Sequence, residues 1–246
     1  MTLSQQRVLI TGGGTGVGAH LAKVFAAQGA DVIISGRRVE PLEAVAEQAK
    51  GITAIAADVT SEDDVAALFQ AAGPVNIVIA NAGASTSAPF GKTTLEDWNA
   101  MMAVNLTGVF LTLRAGLNQM SGWGRLISVA STAGLKGYPY VAPYVAAKHG
   151  VVGLTRALAL EVARKEITVN ALCPGFLDTE MTGRSIANIV EKTGMEPEAA
   201  RAALTASNPQ KRLIQPAEVT AAALWLCGPG SEGINGQAIS ISGGEI

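Results

Sequence analysis

Aromatic side chains are scarce in this chain, at 4% of 246 residues, and histidine occurs only as His20 and His149. Two histidines so far apart give no metal-ligand spacing, so no metal centre is expected. Cysteine is equally rare, with only Cys173 and Cys227. Neither has a close-spaced partner, which removes a disulfide framework and makes buried thiols in a reducing cytoplasm the expectation. No sign of charge dominates: 18 Lys and Arg stand against 20 Asp and Glu, and no block of like charge occurs. That balance argues against a nucleic-acid or anionic-membrane partner. Long apolar runs are missing too. Stretches such as VNIVIANAGA fall short of the ~18 residues that suggest a membrane span. The opening MTLSQQRVLITGG has no basic segment followed by a long apolar one, so no secretion signal is read there.

What is present is small and apolar. Hydrophobic residues make up 48%, and glycine contributes 28 residues. The length suits one α/β domain with a core of Ala, Val, Leu and Ile, and residues 1–246 are read as that single unit. Short β-rich runs alternate with helical stretches. The strand candidates are 7–11, 31–35, 53–57, 75–80, 125–130, 167–172 and 238–242, several of them continuously apolar, as strands covered on both faces are. Between them the helical candidates are 16–28, 40–50, a segment opening at Ser61 as N-cap, 94–117 and 143–165. This alternation predicts right-handed crossovers and a doubly wound, mostly parallel sheet. Residues 175–215 break the rhythm, with two weak helical patches and no strand, and read as a substrate lid.

The first strand runs directly into TGGGTGVG, where Gly12, Gly16 and Gly18 form a G-x-x-x-G-x-G pattern. Glycines at a strand-to-helix turn let backbone N–H groups approach a pyrophosphate at a helix N-terminus. The whole turn, with Gly14, Thr15 and Val17, is therefore read as cofactor-binding. A P-loop is excluded, because no Gly-Lys-Ser/Thr follows. After the second strand, NAD enzymes usually place an acid on the ribose 2′-hydroxyl. Here Gly36 takes that place, followed by Arg37 and Arg38. Without a carboxylate, and with guanidinium groups able to grip a 2′-phosphate, NADP(H) is favoured and NAD(H) stays open.

Further motifs follow in order: NAG at 81–83, Ser131, YVAAK with Tyr144 and Lys148, and PGF at 174–176. Together with the glycine turn they resemble the short-chain dehydrogenase/reductase family, from Arg7 to Gly244, and especially its β-ketoacyl and polyketide ketoreductases. The resemblance implies a Rossmann-like fold, seven strands in the order 3-2-1-4-5-6-7, and hydride transfer between a nicotinamide cofactor and a ketone or secondary alcohol. Tyr144 and Lys148 stand at i and i+4, on one helix face. An ammonium there is expected to lower the phenol's pKa, so that Tyr144 works as acid or base. By family analogy Lys148 also binds the nicotinamide ribose, beside Tyr144. Ser131 would hydrogen-bond the substrate oxygen, and Asn105 would hold a water in a proton relay to Lys148. Ser128 lies inside the strand run with the wrong spacing. The resemblance also assigns Asp58 and Val59 to adenine, and Asn81, Ala82 and Gly83 to the cofactor cleft. Pro174, Gly175 and Phe176 go to the nicotinamide carboxamide, and Thr179 to the pyrophosphate.

The loop LKGYPYVA offers an apolar, partly aromatic wall, so Tyr138 and Phe176 join Ser131 and Tyr144 as substrate residues. A hydrophobic carbonyl compound suits it better than a sugar. Ala80 departs from the family's Asn-Asn-Ala-Gly, and Ser242 from its Asp before the final glycine pair; neither touches the chemistry. Three alternatives remain: an NAD-dependent secondary-alcohol dehydrogenase of the same fold, a non-catalytic nicotinamide-nucleotide sensor, and a sugar-nucleotide epimerase relative. The intact Ser131, Tyr144 and Lys148 set disfavours the sensor, and the short stretch after Lys148 disfavours the epimerase. The resemblance implies a homotetramer first and a dimer second, built through 94–117 and 143–165.

Overall fold

A computed structural model describes residues 2–246. Its sheet has seven strands, all paired in parallel, in the order β3-β2-β1-β4-β5-β6-β7. They are β1 (Arg7–Thr11), β2 (Asp31–Gly36), β3 (Ile52–Ala56), β4 (Ile77–Ala80), β5 (Gly124–Val129), β6 (Ile167–Pro174) and β7 (Ala238–Ile241). Helices α1 (Gly16–Ala27), α2 (Val39–Glu47) and α3 (Glu62–Ala72) alternate with the first strands. They are followed by α4 (Leu95–Met102), α5 (Gly108–Gln119), α6 (Ala142–Val162), α7 (Glu180–Thr193), α8 (Pro197–Thr205) and α9 (Pro216–Cys227).

The period-2 alternation of each strand divides its side chains between two cores. On one face, Val8 and Ile10 of β1 and Ile77 and Ile79 of β4 pack with Leu21 and Phe25 of α1 and Leu226 of α9. On the other face, Leu9 and Val78 pack with Leu68 of α3, Leu113 of α5 and Val151 of α6. Strands buried on both faces read as unbroken apolar runs because neither set of side chains meets water. The order reverses direction between β1 and β4, which opens a crevice at their carboxyl ends.

The helix expected over 94–117 is two helices joined by a π turn at Ala103–Thr107. By length and composition Leu95–Gln119 could cross a membrane, with a mean hydropathy of 1.4. Its apolarity has another explanation: Val109, Leu111 and Leu113 are buried against the sheet. Ser61 caps α3, accepting the N–H of Asp64 at 3.2 Å.

Residues 175–215 hold α7 and α8 at the two helical patches legible in the sequence, with α7 starting earlier than its patch around 185–192, and are tied at both roots. Leu177 and Ile214 form an isolated parallel bridge. Just beyond, Arg212 clasps Glu218 of α9 through two bonds of 2.6 and 2.8 Å. This bidentate grip holds the Glu218 carboxyl well down, at about 2 against an ordinary 4.5. A carboxyl depressed in the folded state contributes stability that is complete above its unfolded pKa and is lost as pH falls toward the folded one. The gap in urea midpoint between the protein and a Glu218→Gln variant should therefore hold steady from neutral pH to about 4.5, then close by about 2. A gap that does not change with pH would show that the pair does not stabilise the root.

Candidate active site

The glycine turn is defined by what it cannot accommodate. A Cβ on Gly18 would stand 2.1 Å from the Gly12 carbonyl oxygen, and one on Gly13 would stand 2.5 Å from Ile34 Cβ. Gly12 and Gly16 have φ of 67° and 54°, a region that side chains disfavour. The turn is stapled from β4. The Asn81 amide donates to the carbonyls of Thr11 and Gly12 at 3.0 and 3.1 Å. In return, the Thr11 hydroxyl accepts the N–H groups of Asn81 and Ala82, both at 3.1 Å. Asn81 thus shapes the cleft rather than offering its side chain to a ligand. Thr11 and Gly13, not singled out in the sequence reading, complete this turn. The sequence signal for Thr11 was a lone polar residue ending an apolar strand.

At the far edge of the turn, Thr179 precedes α7 and lies beside Gly16, whose Cβ would meet its methyl group at 3.3 Å. Gly36 ends β2, and Arg37 and Arg38 follow it into solvent without an ion pair among the described residues. The Asp58 carboxylate accepts the N–H and hydroxyl of Thr60 at 2.9 and 2.8 Å, and Val59 is buried against Gly108.

The proposed chemical groups converge at the carboxyl end of β5. Ser131 follows that strand and opens a 3₁₀ turn, Thr132–Gly134, its hydroxyl accepting the N–H of Ala133 at 3.1 Å. Gly134 lets this turn lie on α6, since a Cβ would come within 2.7 Å of the Lys148 carbonyl oxygen. Tyr144 is in the first turn of α6, which begins beside Pro143. The Ser131 side chain lies close enough to the Tyr144 phenol to favour its ionised form. One turn on, Lys148 is buried, with its Nζ 5.6 Å from the Tyr144 ring and donating to the Val129 carbonyl at 2.8 Å. Ser128 is elsewhere, inside β5, bonded to Thr155 at 3.1 Å.

One expectation needs correction. The Tyr144 phenol does not fall below its ordinary value, despite its lysine neighbour. Burial pushes it above the ordinary value of 10.0, and the nearby Ser131 side chain opposes that push. The ammonium is itself costly to bury and is lowered to about 8. Desolvation disfavours the charged form of both groups, and the lysine donates to Val129, not to the phenol.

Asn105, wholly buried in the π turn, donates to the carbonyls of Ala84 and Met101 at 2.9 and 3.1 Å and accepts the Ala84 N–H at 3.2 Å. A Cβ on Gly83 would stand 2.9 Å from Asn105 Oδ1 and 3.7 Å from Lys148 Nζ, so the three meet around Gly83. The i, i+5 turn moves Asn105 off the regular helical register. Pro174 ends β6, and the Gly175 N–H is spent on Ile241 at 3.0 Å. Phe176 meets Tyr138 edge to face, with ring centroids 6.1 Å apart at 82°. Glu245, unforeseen in the sequence, reaches into this wall with its carboxylate on the Tyr138 hydroxyl at 2.6 Å.

Comparison with known proteins agrees with this geometry. The family model for short chain dehydrogenase matches residues 6–189. The chain is 32% identical to D-beta-hydroxybutyrate dehydrogenase of Rhizobium meliloti over 249 residues, 96% of each chain. A variant of actinorhodin polyketide ketoreductase solved with NADPH superposes with a TM-score of 0.90 at 34% identity, over 100% of this chain and 99% of that one. The 3-ketoacyl-(acyl-carrier-protein) reductase of Brucella melitensis, complexed with NADH, gives 0.90 at 32% identity over 99% of both. With its family motifs on one parallel sheet and its whole length aligned with these reductases and dehydrogenases, this chain belongs to the short-chain dehydrogenase family and is an oxidoreductase.

Proposed function

We propose that this protein interconverts a ketone and its secondary alcohol, with a hydrophobic flank on the substrate and NADP(H) as the preferred cofactor. The observation that carries this reading is the convergence of Ser131, Tyr144 and Lys148 beside the glycine turn. A dinucleotide fits the residues present: the turn from Gly12 to Gly18 has no room for side chains at Gly13 and Gly18, and two unpaired arginines follow Gly36. Gly12, Gly14, Thr15, Gly16, Val17, Gly18 and Thr179 would hold its pyrophosphate, Asp58 and Val59 its adenine, and Tyr144 and Lys148 its nicotinamide ribose. The Gly175 amide is engaged with Ile241, so the carboxamide falls to amides farther along the segment from Pro174 through Phe176. When bound, the nicotinamide supplies or accepts a hydride.

The chain's own groups handle the proton. Ser131 donates a hydrogen bond to the substrate oxygen and supports the negative charge that develops there. Tyr144 delivers its proton to that oxygen during reduction and withdraws one during oxidation. Lys148, buried and cationic, favours the phenolate left behind. Because the Asn105 amide is engaged with Ala84 and Met101, a relay water would be held by its backbone.

NAD(H) use is the second reading, favoured by the NADH bound to the Brucella relative. The Gly36→Asp substitution separates the two. A carboxylate at this position repels a 2′-phosphate and accepts a ribose hydroxyl. The ratio of NADP to NAD affinity should fall by roughly 10–100-fold, the worth of one charged hydrogen bond. Fluorescence titration with both cofactors measures it, and an unmoved ratio would overturn the assignment of this turn. We also infer a cytoplasmic enzyme, on its two free buried thiols. A homotetramer, or failing that a dimer, is supported by Phe110, Leu160 and Trp225, which stand in solvent on α5, α6 and α9. Light scattering tests this.

A further inference from the structure

Glu245 lies far from the cofactor turn in sequence, yet its side chain is only 2% exposed. Its Oε1 accepts the Tyr138 hydroxyl at 2.6 Å and the Lys136 ammonium at 2.7 Å. Ser207, between α8 and the second lid root, lies near enough to this carboxylate to favour its ionised form. Its Oε2 faces Gly175, whose Cβ would lie 3.5 Å away. The backbone beside it is equally committed: a Cβ on Gly243 would stand 2.4 Å from Asn208 Oδ1, and one on Gly244 would stand 3.5 Å from Pro209. One carboxylate therefore links the loop after β5, the end of β6 and the segment after α8.

The direction of the Tyr138 hydroxyl is the consequence. A phenol has one proton, and an ionised carboxylate can only accept. Tyr138 thus donates to Glu245, and the Thr132 hydroxyl, 2.7 Å away, donates to Tyr138. With its hydroxyl used in this way and the Lys136 Nζ over one face of its ring at 5.0 Å, Tyr138 has the other face left to offer, nearly perpendicular to the ring of Phe176.

We infer that Glu245 is a positioning residue for substrate selection: it pins Tyr138 so that the wall beside Tyr144 is aromatic hydrocarbon and takes an uncharged aryl or branched alkyl substituent on the ketone carbon. This inference rests on the reading of Tyr144 and Ser131 as the reacting site. It concerns which ketones bind, not whether they are reduced.

The test compares an aryl alkyl ketone with a small ketone such as acetone, in the intact protein and in Glu245→Gln, Glu245→Ala and Tyr138→Phe variants. Turnover of either ketone by the unaltered protein comes first, and its failure would strike the proposed function rather than this inference. In Glu245→Ala, KM for the aryl ketone should rise about tenfold, the worth of one well-placed aromatic contact. Its kcat, the KM for the small ketone and the cofactor dissociation constant should stay close to unaltered values. Glu245→Gln keeps an acceptor for the phenol and loses only the charge, so it should fall between and serves if the alanine variant does not fold. Tyr138→Phe combined with Glu245→Ala should be no worse than the poorer single variant, because both remove one bond. Equal losses on both ketones, additive losses in the double variant, or an unchanged aryl KM would each overturn the inference.

Discussion

Tyr144→Phe is expected to lower kcat by ~10²–10⁴-fold, the usual contribution of a positioned acid or base, while the cofactor binds almost as before. The ring is retained, so the packing of the first turn of α6 survives, and Lys148 keeps its bond to Val129. Only the hydroxyl goes, and with it the proton that Tyr144 would transfer. Steady-state kinetics in both directions and a cofactor titration measure the outcome. The pH profile sharpens the test. Burial keeps the Tyr144 phenol protonated well into alkaline conditions, so the acid needed for reduction is in place at neutral pH. Oxidation needs the phenolate and should rise with pH. Reduction should decline as Lys148 loses its charge above about 8. If the phenylalanine variant turned over substrate at near-normal rates, the proton donor would have to be sought elsewhere.

Gly18→Ala should be the most damaging substitution in the cofactor turn. The added methyl would lie 2.1 Å from the Gly12 carbonyl oxygen and 2.6 Å from Asn81 Nδ2. Neither atom can yield cheaply, because the first is backbone and the second holds the turn to β1 through Thr11 and Gly12. Overpacking of this kind costs ~1–3 kcal/mol, occasionally more. Relief must move the N–H groups proposed to face the pyrophosphate. The melting temperature should drop, and cofactor affinity should weaken by about 5–150-fold if that cost falls on the bound geometry. Gly91→Ala is the control, since a methyl there meets nothing within 4 Å. Unchanged affinity and melting temperature in Gly18→Ala would mean that the turn does not have this shape.

Much of this was legible in order along the chain. The seven strands were found within a few residues because burial on both faces leaves apolar runs, and β1, β2 and β5 have at most one exposed residue each. Tyr144 and Lys148 could be paired because helical periodicity links i and i+4 locally. The break in the helix over 94–117 was not legible, since AVNLT carries no proline or glycine and its π turn follows from the bonds between Asn105 and Ala84. Glu245 was not legible either, since nothing local distinguishes it from a solvated carboxylate.

Local pattern and the chain's own composition therefore determined the class of fold and the position of the glycine turn, and the motifs named the candidates for the reacting groups. Each of these depends on neighbours within a few residues, where backbone geometry fixes the spacing. Only the tertiary structure decided how those groups are tuned and what surrounds them. Whether Tyr144 is raised or lowered depends on how deeply it is buried against Ser131 and Lys148. Whether Asn81 faces a ligand or holds the turn depends on β4 lying beside β1. Whether Glu245 is a surface charge or the anchor of Tyr138 depends on its meeting a loop 107 residues away in sequence. Desolvation and hydrogen bonding are set by distances in space, which sequence spacing does not encode.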